Sequence, residues 1–326
     1  MLDWPEMDRP VPLNNRRFNT LAASVYAAFL LFAIVGCWQA DIDLPYAGTG
    51  VLLRCICLAI FLSLPVYWHV KHRPDRREAA LAPFWLLAFS FTLPAIVNLC
   101  GRSEMPLQDL NLIRLDSMLG INVPAIAAWA DQHRLGHLIN DTYPMLMYYL
   151  IPLAVLAPAL FGRWIAAREF LAANIIAMII GLTAFALLPA VGPWYGYNLP
   201  PGPGQEFCQT QLLLLREPGP IVAQQAGIIC FPSFHVIWAI FCARALWTFR
   251  LIRIPVCVFA GLVILSTITT GWHYFVDVVA GFIIAHISIR IASRIIGNQP
   301  QTACATLPLR VATAAIPTQD PSIAQE

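Results

Sequence analysis

The sequence predicts an all-α protein, a polytopic membrane bundle of about eight transmembrane helices. Hydrophobic residues make up 59% of the 326 residues and charged residues only 12%, and the mean hydropathy is +0.66. Soluble domains carry about 25% charged residues, and several apolar runs here reach the roughly 20 residues that a helix needs to cross a bilayer. Lipid is therefore the predicted solvent. The formal net charge of +2 gives no reason to expect a nucleic-acid partner.

Eight apolar segments account for the predicted spans. Pro65, Pro94 and Pro152 interrupt three of them, which membrane helices tolerate when neighbouring helices satisfy the freed backbone groups. The predicted spans are 18–38, 50–69, 80–99, 143–161, 170–190, 233–249, 254–271 and 273–296.

Basic residues occur at alternate ends of these spans and predict the orientation of the chain. The positive-inside rule places both termini and the basic loops in the cytoplasm. The loops 39–49, 100–142 and 191–232 then face outward, in a multi-pass protein of the plasma or inner membrane. The basic positions assigned to the inner side are Arg16, Arg17, the run at 71–77, Arg163, Arg168, Arg250, Arg253, Arg290 and Arg294.

Four regions follow from this reading. Residues 1–17 form a cytoplasmic arm, 18–99 form three N-terminal transmembrane helices, and 100–296 form a second membrane domain. Residues 297–326 lack periodicity and are predicted to be a disordered cytoplasmic tail. Within the second domain, 115–132 predicts a re-entrant or interfacial helix, because polar residues interrupt its apolar spacing.

Two histidine motifs stand out in this apolar chain. In TTGWHYFVD, His273 and Asp277 are four residues apart and share one helix face. A carboxylate there can accept the imidazole Nδ1 proton, which fixes the tautomer and leaves Nε2 as a nucleophile. Ionisable residues in membrane helices are functional hypotheses by default. The alternative is a structural pair that reaches interfacial water.

The second motif is CFPSFHV at 230–236. Pro232 suits the first turn of a helix, and Ser233 with the following N–H groups would bind an oxyanion such as phosphate. His235 would then donate a proton to a departing oxygen, unless it is an ordinary interfacial histidine. The predicted topology brings both motifs to the outer face of the membrane.

The pattern P-S-x-H followed by H-x-x-x-D resembles the type-2 phosphatidic acid phosphatase superfamily of membrane enzymes. FPSFHV and HYFVD, together with LPAVGPWYGY at 188–197 and LDSMLGINVP at 115–124, look like the branch that contains fungal inositol phosphorylceramide synthase and its bacterial relatives. The resemblance covers roughly 110–285. It implies that 100–296 is a phosphatase- or phosphotransferase-like domain with the core fold of that superfamily.

Carried onto this chain, the resemblance implies that His273 is the nucleophile of a phosphohistidine and that Asp277 orients it. His235 would protonate the leaving group, and Ser233 would help to hold the phosphate. The implied substrate is a membrane phospholipid or lipid phosphate, and the acceptor is a lipid or water. No cofactor and no metal are predicted, and the site faces the extracytoplasmic side.

The chain departs from the superfamily pattern at its cations. Ser266 and Thr267 occupy the places where Ser-Arg is usual, and Gly192 precedes the proline of the first motif. Arg216 or Arg102, in an outer loop, could substitute. A site poor in cations stabilises a phosphate dianion less well than a monoanion, which favours a phosphodiester substrate.

The favoured function is therefore an inositolphosphotransferase-like lipid phosphotransferase, with a role in sphingolipid metabolism. The alternative is a hydrolase of phosphatidic acid or a prenyl diphosphate. A haem-binding or transport protein is a third class, but haem ligation needs histidines that face each other across a bundle at several depths, and the two best histidines here share one depth.

Two further features remain open from sequence. The aromatic residues Trp194 and Tyr195 either line the entrance to the site or anchor the chain at the membrane interface. Cys208 and Cys230 lie in an outer loop, where they either form a disulfide or remain free thiols.

Overall fold

The computed structural model describes residues 15–43, 49–72, 74–222 and 227–297. The predicted cytoplasmic arm and tail lie almost wholly outside these ranges. The described chain is helical apart from one short parallel pairing of β1 (Ile42–Asp43) with β2 (Ile221–Val222), which ties two of the predicted outer loops together. The helices are α1 (Asn15–Gln39), α2 (Thr49–Val70), α3 (Pro74–Gly101), α4 (Asp109–Met118), α5 (Val123–Gln132), α6 (Arg134–Asn140), α7 (Thr142–Met145), a π-helical turn (Leu146–Leu150), α8 (Ile151–Leu160), α9 (Trp164–Leu187), α10 (Pro193–Gly196), α11 (Pro203–Leu215), α12 (Phe234–Leu246), α13 (Arg253–Thr269) and α14 (Phe275–Ile296).

The predicted all-α membrane architecture is confirmed, and each predicted span overlaps a helix. Within the described ranges, five helical segments are long and apolar enough to cross a membrane: Phe18–Gln39, Ala80–Gly101, Arg134–Leu160, Trp164–Leu187 and Phe275–Ile296. Three shorter apolar helices complete the predicted set of eight: Cys55–Val70, Phe234–Leu246 and Arg253–Thr269. The 13 residues of α12 rise only about 20 Å, less than the roughly 30 Å of a hydrocarbon core. The count of eight spans therefore stays a prediction.

Helix α12 lies at the centre of the bundle and packs against α8, α9, α13 and α14. Helix α3 packs against α8 and α9, and α1 and α2 pack against α3 on the outside. Large apolar side chains of these two outer helices remain exposed, among them Leu31, Phe32 and Ile60. Such a surface is typical of lipid contact, because lipid tails are as apolar as the side chains.

The predicted interfacial helix over 115–132 is two short helices, α4 and α5, neither of which is among the candidate spans. The break occurs at Gly120, whose φ of +72° is a conformation that glycine adopts readily. Helix α5 then starts anew, because the Asn122 side chain caps it by accepting the N–H of Ala125 at 3.0 Å. Helix α4 packs against α14, and α5 packs against α13.

The backbone of α14 approaches the start of α12 closely at Gly281. A methyl group placed on Gly281 would lie 2.6 Å from the Ser233 carbonyl oxygen and 3.1 Å from the Val236 Cβ. Backbone cannot move aside as a flexible side chain can. Gly281 therefore allows the two motif-bearing helices to touch.

We expect Gly281→Ala to destabilise the protein by about 1–3 kcal/mol, because the added methyl overpacks this crossing. Gly261→Ala is the matched control, since a methyl there on α13 meets no neighbouring atom within 4 Å; it should be neutral or stabilise by about 0.5–1 kcal/mol. The midpoint of thermal unfolding in detergent measures both. Equal midpoints for the two variants would contradict the close crossing.

Candidate active site

His273 lies in the turn that connects α13 to α14. Helix α13 ends at Thr269, and Gly271, with φ of +70°, reverses the chain. The His273 N–H then donates to the Thr267 carbonyl at 3.1 Å, and α14 begins two residues later. The His273 side chain lies in the interior, and only 2% of the residue is exposed.

The orientation of the His273 ring is set through its Nδ1 atom. Nδ1 lies 2.8 Å from the Cys230 carbonyl oxygen and 3.4 Å from Asp277 Oδ2. A carbonyl only accepts, so Nδ1 carries the proton and donates it. The lone pair of the neutral ring then lies on Nε2. The closest acceptor is thus a main-chain carbonyl, which the spacing of the motif does not indicate, with the Asp277 carboxylate next to it.

Asp277 is fully buried and forms the floor of this arrangement. Its Oδ2 accepts the Tyr274 N–H at 2.8 Å and the Cys230 thiol at 3.1 Å. Burial, followed by the negative charge of Asp277, raises the pKa of the Cys230 thiol well above its usual value, so this sulfur acts as a donor. Asp277 Oδ1 is buried and has no hydrogen-bond partner in the described part of the chain.

The second motif begins α12. Ser233 is its N-cap, and the Ser233 hydroxyl accepts the Val236 N–H at 3.5 Å. The Ser233 N–H donates to the Asp277 carbonyl at 3.2 Å, which joins the two motifs directly. The sequence predicts Pro232 in the first turn of the helix. In the structure Pro232 precedes the helix, because Ser233 is the N-cap and α12 begins at Phe234.

The structure brings the two histidines together. The ring centroids of His235 and His273 are 5.9 Å apart, so one tetrahedral oxyanion can lie within reach of both. Tyr143 stacks on His235 at 4.0 Å and lies nearly parallel to Trp272 at 6.0 Å. The sequence gives no signal that Tyr143 stacks on His235, because Tyr143 belongs to α7, far from both histidine motifs along the chain.

Two buried carboxylates of α4 accept hydrogen bonds from the residues that follow His273 in the turn. Asp116 accepts the N–H groups of Phe275 and Val276, both at 2.9 Å. Asp109 accepts the Gly192 N–H at 2.9 Å and the Tyr274 hydroxyl at 3.0 Å. The LDSMLGINVP and LPAVGPWYGY stretches therefore converge on the turn that holds His273.

The ionisation of this network follows from its burial. Burial raises the pKa of Asp109, and the N–H groups of Gly192 and Val191 and the Tyr274 hydroxyl act in the opposite direction. Burial likewise raises the pKa of Asp116, opposed by its two N–H donors. Tyr274 has a raised pKa, mainly through burial and then through the charge of Asp109, so its hydroxyl remains a donor.

The predicted cations have other partners. Arg216 donates to the carbonyl oxygens of Ser103 and Met105, both at 2.6 Å, and Arg102 donates to the Gly219 carbonyl at 2.7 Å. Both guanidinium groups thereby brace the outer loops. A phosphate-binding role for Arg216 stays a prediction.

Trp194 and Tyr195, the two aromatic residues singled out in the sequence, lie in different environments. Trp194 is buried, donates to Gln209 Oε1 at 2.9 Å and packs edge-on against Trp272 at 5.3 Å. Tyr195 is 40% exposed. Trp194 therefore touches the ring that follows Gly271 in the His273 turn, whereas Tyr195 faces outward.

Of the two alternatives for Cys208 and Cys230, the structure has the free thiols and not the disulfide. The Cys230 sulfur points towards the His273 turn, where it contacts Asp277 Oδ2 and the Trp272 carbonyl oxygen at 3.7 Å. Cys208 belongs to α11. Cys230 serves the site through both its sulfur and its carbonyl oxygen, and the outer loop closes through β1 and β2 instead.

Fold and site together define a helical membrane protein with a buried two-histidine centre. Comparison with known families matches residues 110–291, more than half of the chain, to the PAP2 superfamily. The chain belongs to this superfamily of phosphatase-type enzymes, as its motifs predict. Neither the curated proteins nor the solved structures gave a match. The inositol phosphorylceramide synthase-like branch stays a prediction.

We expect Asp116→Asn to lower turnover about 10- to 100-fold with little change in KM, because an amide replaces one charge-assisted acceptor with a donor and displaces the His273 turn. Asp131→Asn is the control, since Asp131 is an exposed acid on α5, and it should retain wild-type turnover. Steady-state kinetics on a lipid phosphate substrate measure both. A KM effect without a turnover effect would contradict the positioning role.

Proposed function

We propose that the protein is a lipid phosphotransferase that works through a phosphohistidine at the extracytoplasmic face of the membrane. The observation that supports it best is the 5.9 Å separation of the His235 and His273 rings, combined with an Nδ1 that is already hydrogen bonded. Membership of the PAP2 superfamily supports the general class of phosphatase or phosphotransferase.

The first chemical step forms a bond from His273 Nε2 to phosphorus and breaks the bond from phosphorus to the first alcohol oxygen. His235 donates its proton to that oxygen, so the alcohol leaves neutral. The positive charge that develops on the His273 ring is stabilised by the Cys230 carbonyl and the Asp277 carboxylate at Nδ1.

The second step reverses these roles with a new acceptor. His235, now neutral, takes the proton of an incoming lipid hydroxyl, whose oxygen attacks phosphorus. The phosphorus–nitrogen bond breaks and His273 returns to its starting form. Water in place of the lipid hydroxyl would make the same enzyme a hydrolase, which releases a phosphomonoester from a phosphodiester, so the acceptor decides between transfer and hydrolysis.

Two helix N-termini meet at the site, and only one of them suits the substrate phosphate. The start of α14 is already filled by carboxylates, because Asp116 binds two of its N–H groups and Asp277 binds the Tyr274 N–H. The start of α12 carries only the neutral Ser233 cap. Its first N–H groups have no partner within the helix and the helix dipole is positive there. The phosphate therefore binds at the α12 end, beside His235.

The substrate in this proposal is a phosphodiester. Main-chain N–H groups and one hydroxyl balance a monoanion better than the nearly doubly charged phosphomonoester. Arg216 and Arg102, whose guanidinium groups are bound by main-chain carbonyls, add little to that balance. An inositol phospholipid as donor and a ceramide as acceptor fit this charge and the motif resemblance.

Aromatic rings lie beside His235. Tyr143, Trp272 and Trp194 form a continuous run of rings next to His235. Such rings bind apolar chain and head-group carbon while keeping bulk water away, which favours transfer to a lipid over hydrolysis. Tyr195, exposed beside this run, is proposed to contact the head group at the entrance.

We expect His273→Ala to abolish both turnover and the formation of an acid-labile, base-stable phosphoenzyme, because it removes the nucleophile. The control is His286→Ala on α14, the helix that follows His273. His286 is an exposed histidine whose Nδ1 contacts the Phe282 carbonyl, and this variant should retain both. The measurement is rapid acid and alkali quenching after incubation with a lipid labelled with ³²P in its phosphodiester.

Two labelled lipids, tested in separate reactions, distinguish transferase from phosphatase: the phosphodiester labelled with ³²P, and phosphatidate labelled in its phosphomonoester. Label that moves to added ceramide supports the proposal, whereas release of free phosphate from phosphatidate, with no transfer, would favour the hydrolase. A phosphoenzyme that persists in His273→Ala would contradict the assigned nucleophile.

A further inference from the structure

Three side chains that could bind a metal ion meet in the His273 turn, and each offers a different ligand atom. The Cys230 sulfur, a His273 nitrogen and an Asp277 oxygen all lie within 4.8 Å of one another. Cys230 is 3% exposed, His273 2%, and Asp277 is fully buried. Buried polar clusters of this kind are normally fully hydrogen bonded.

The spacing of these atoms matches a small tetrahedral ion. The Cys230 sulfur lies 3.1 Å from Asp277 Oδ2, and His273 Nδ1 lies 3.4 Å from the same oxygen. Zinc binds nitrogen and oxygen at about 2.0 Å and thiolate sulfur at about 2.3 Å, which separates tetrahedral ligands by about 3.3–3.5 Å. These two separations are close to the tetrahedral values, and the third pair, the Cys230 sulfur and the His273 nitrogen, lies within 4.8 Å.

A second observation points to a missing ligand. Asp277 Oδ1 is buried and unpartnered within the described residues, although an uncompensated buried carboxylate oxygen is costly. A cation bound to the carboxylate would offset the buried negative charge that the hydrogen bonds to Oδ2 leave only partly compensated. Thiolate, imidazole and carboxylate together are a donor set that suits Zn²⁺ and disfavours Mg²⁺ or Ca²⁺, which take oxygen ligands.

We propose that Cys230, His273 and Asp277 form an inhibitory binding site for a thiophilic divalent cation such as Zn²⁺. Binding forms one bond each to Cys230 Sγ, His273 Nδ1 and an Asp277 oxygen. The thiol proton is released to solvent, and the ring proton moves from Nδ1 to Nε2.

Inhibition follows from that last proton. With the cation on Nδ1 and the proton on Nε2, the neutral ring has no lone pair for attack on phosphorus. The ion also displaces the hydrogen bond to the Cys230 carbonyl that orients the ring. This consequence rests on the proposed nucleophilic role of His273, whereas binding of the cation does not.

The binding itself is tested with Co²⁺ alone as a spectroscopic probe, on the purified full-length protein in detergent. Wild type is expected to show a thiolate-to-cobalt charge-transfer band in the near ultraviolet, and excess Zn²⁺ should remove it. Cys230→Ser should lack the band and bind Zn²⁺ about 100-fold more weakly or worse, since a lost first ligand costs at least as much as a lost outer-shell partner. Cys242→Ser, which changes a buried thiol within α12, is the control and should keep the band.

X-ray absorption of zinc-loaded wild type avoids dependence on a variant that fails to fold. One sulfur at about 2.3 Å with nitrogen and oxygen neighbours at about 2.0 Å is expected. A zinc shell without sulfur, or a cobalt band that survives in Cys230→Ser, overturns the site. If the spectra appear and Zn²⁺ leaves turnover unchanged, the inhibitory role is wrong, and the phosphoenzyme measurement on His273→Ala decides separately whether His273 is the nucleophile.

Discussion

The site depends on contact between two helix starts, which a main-chain hydrogen bond from Ser233 to the Asp277 carbonyl joins. Gly281 makes the contact sterically possible, because a side chain there would meet the Ser233 carbonyl. Since His235 follows Ser233 and His273 precedes Asp277, this one crossing sets the distance between the two imidazoles. The bundle of α8, α9, α12, α13 and α14 holds the crossing in place through apolar packing.

Fixed negative charge on one side of the crossing gives the centre its polarity. Asp109, Asp116 and Asp277 bind N–H and O–H donors of the His273 turn, so that turn is satisfied from within the protein. In the proposed mechanism, a substrate anion is directed away from these carboxylates towards the neutral start of α12. The same carboxylates would stabilise the positively charged imidazole that forms when the His273 ring is phosphorylated. The proposal thus gives one electrostatic cause to the placement of the substrate and to the stabilisation of the phosphohistidine.

Local sequence patterns predicted the helices and the residues of the two histidine motifs. They could do so because i,i+4 spacing and a serine N-cap act over a single helical turn. The partners that complete the centre come from far along the chain. The Cys230 carbonyl, 43 residues from His273, the Asp116 carboxylate, 159 residues from Phe275, and the Tyr143 ring have no periodic signal. The sequence pattern presents Asp116 as a polar interruption of an interfacial helix, and it gives no sign that main-chain carbonyls bind Arg216. Sequence spacing reports the face of one helix, but not which of several distant polar groups will meet it.

A structure of the protein with bound orthovanadate tests the central claim most directly, since vanadate adopts the five-coordinate geometry of phosphoryl transfer. The account predicts vanadium bonded to His273 Nε2, with an apical oxygen hydrogen bonded to His235 and equatorial oxygens at the start of α12. Vanadate bound to only one of the two rings, or bound at the start of α14 in place of the Asp116 carboxylate, would contradict it.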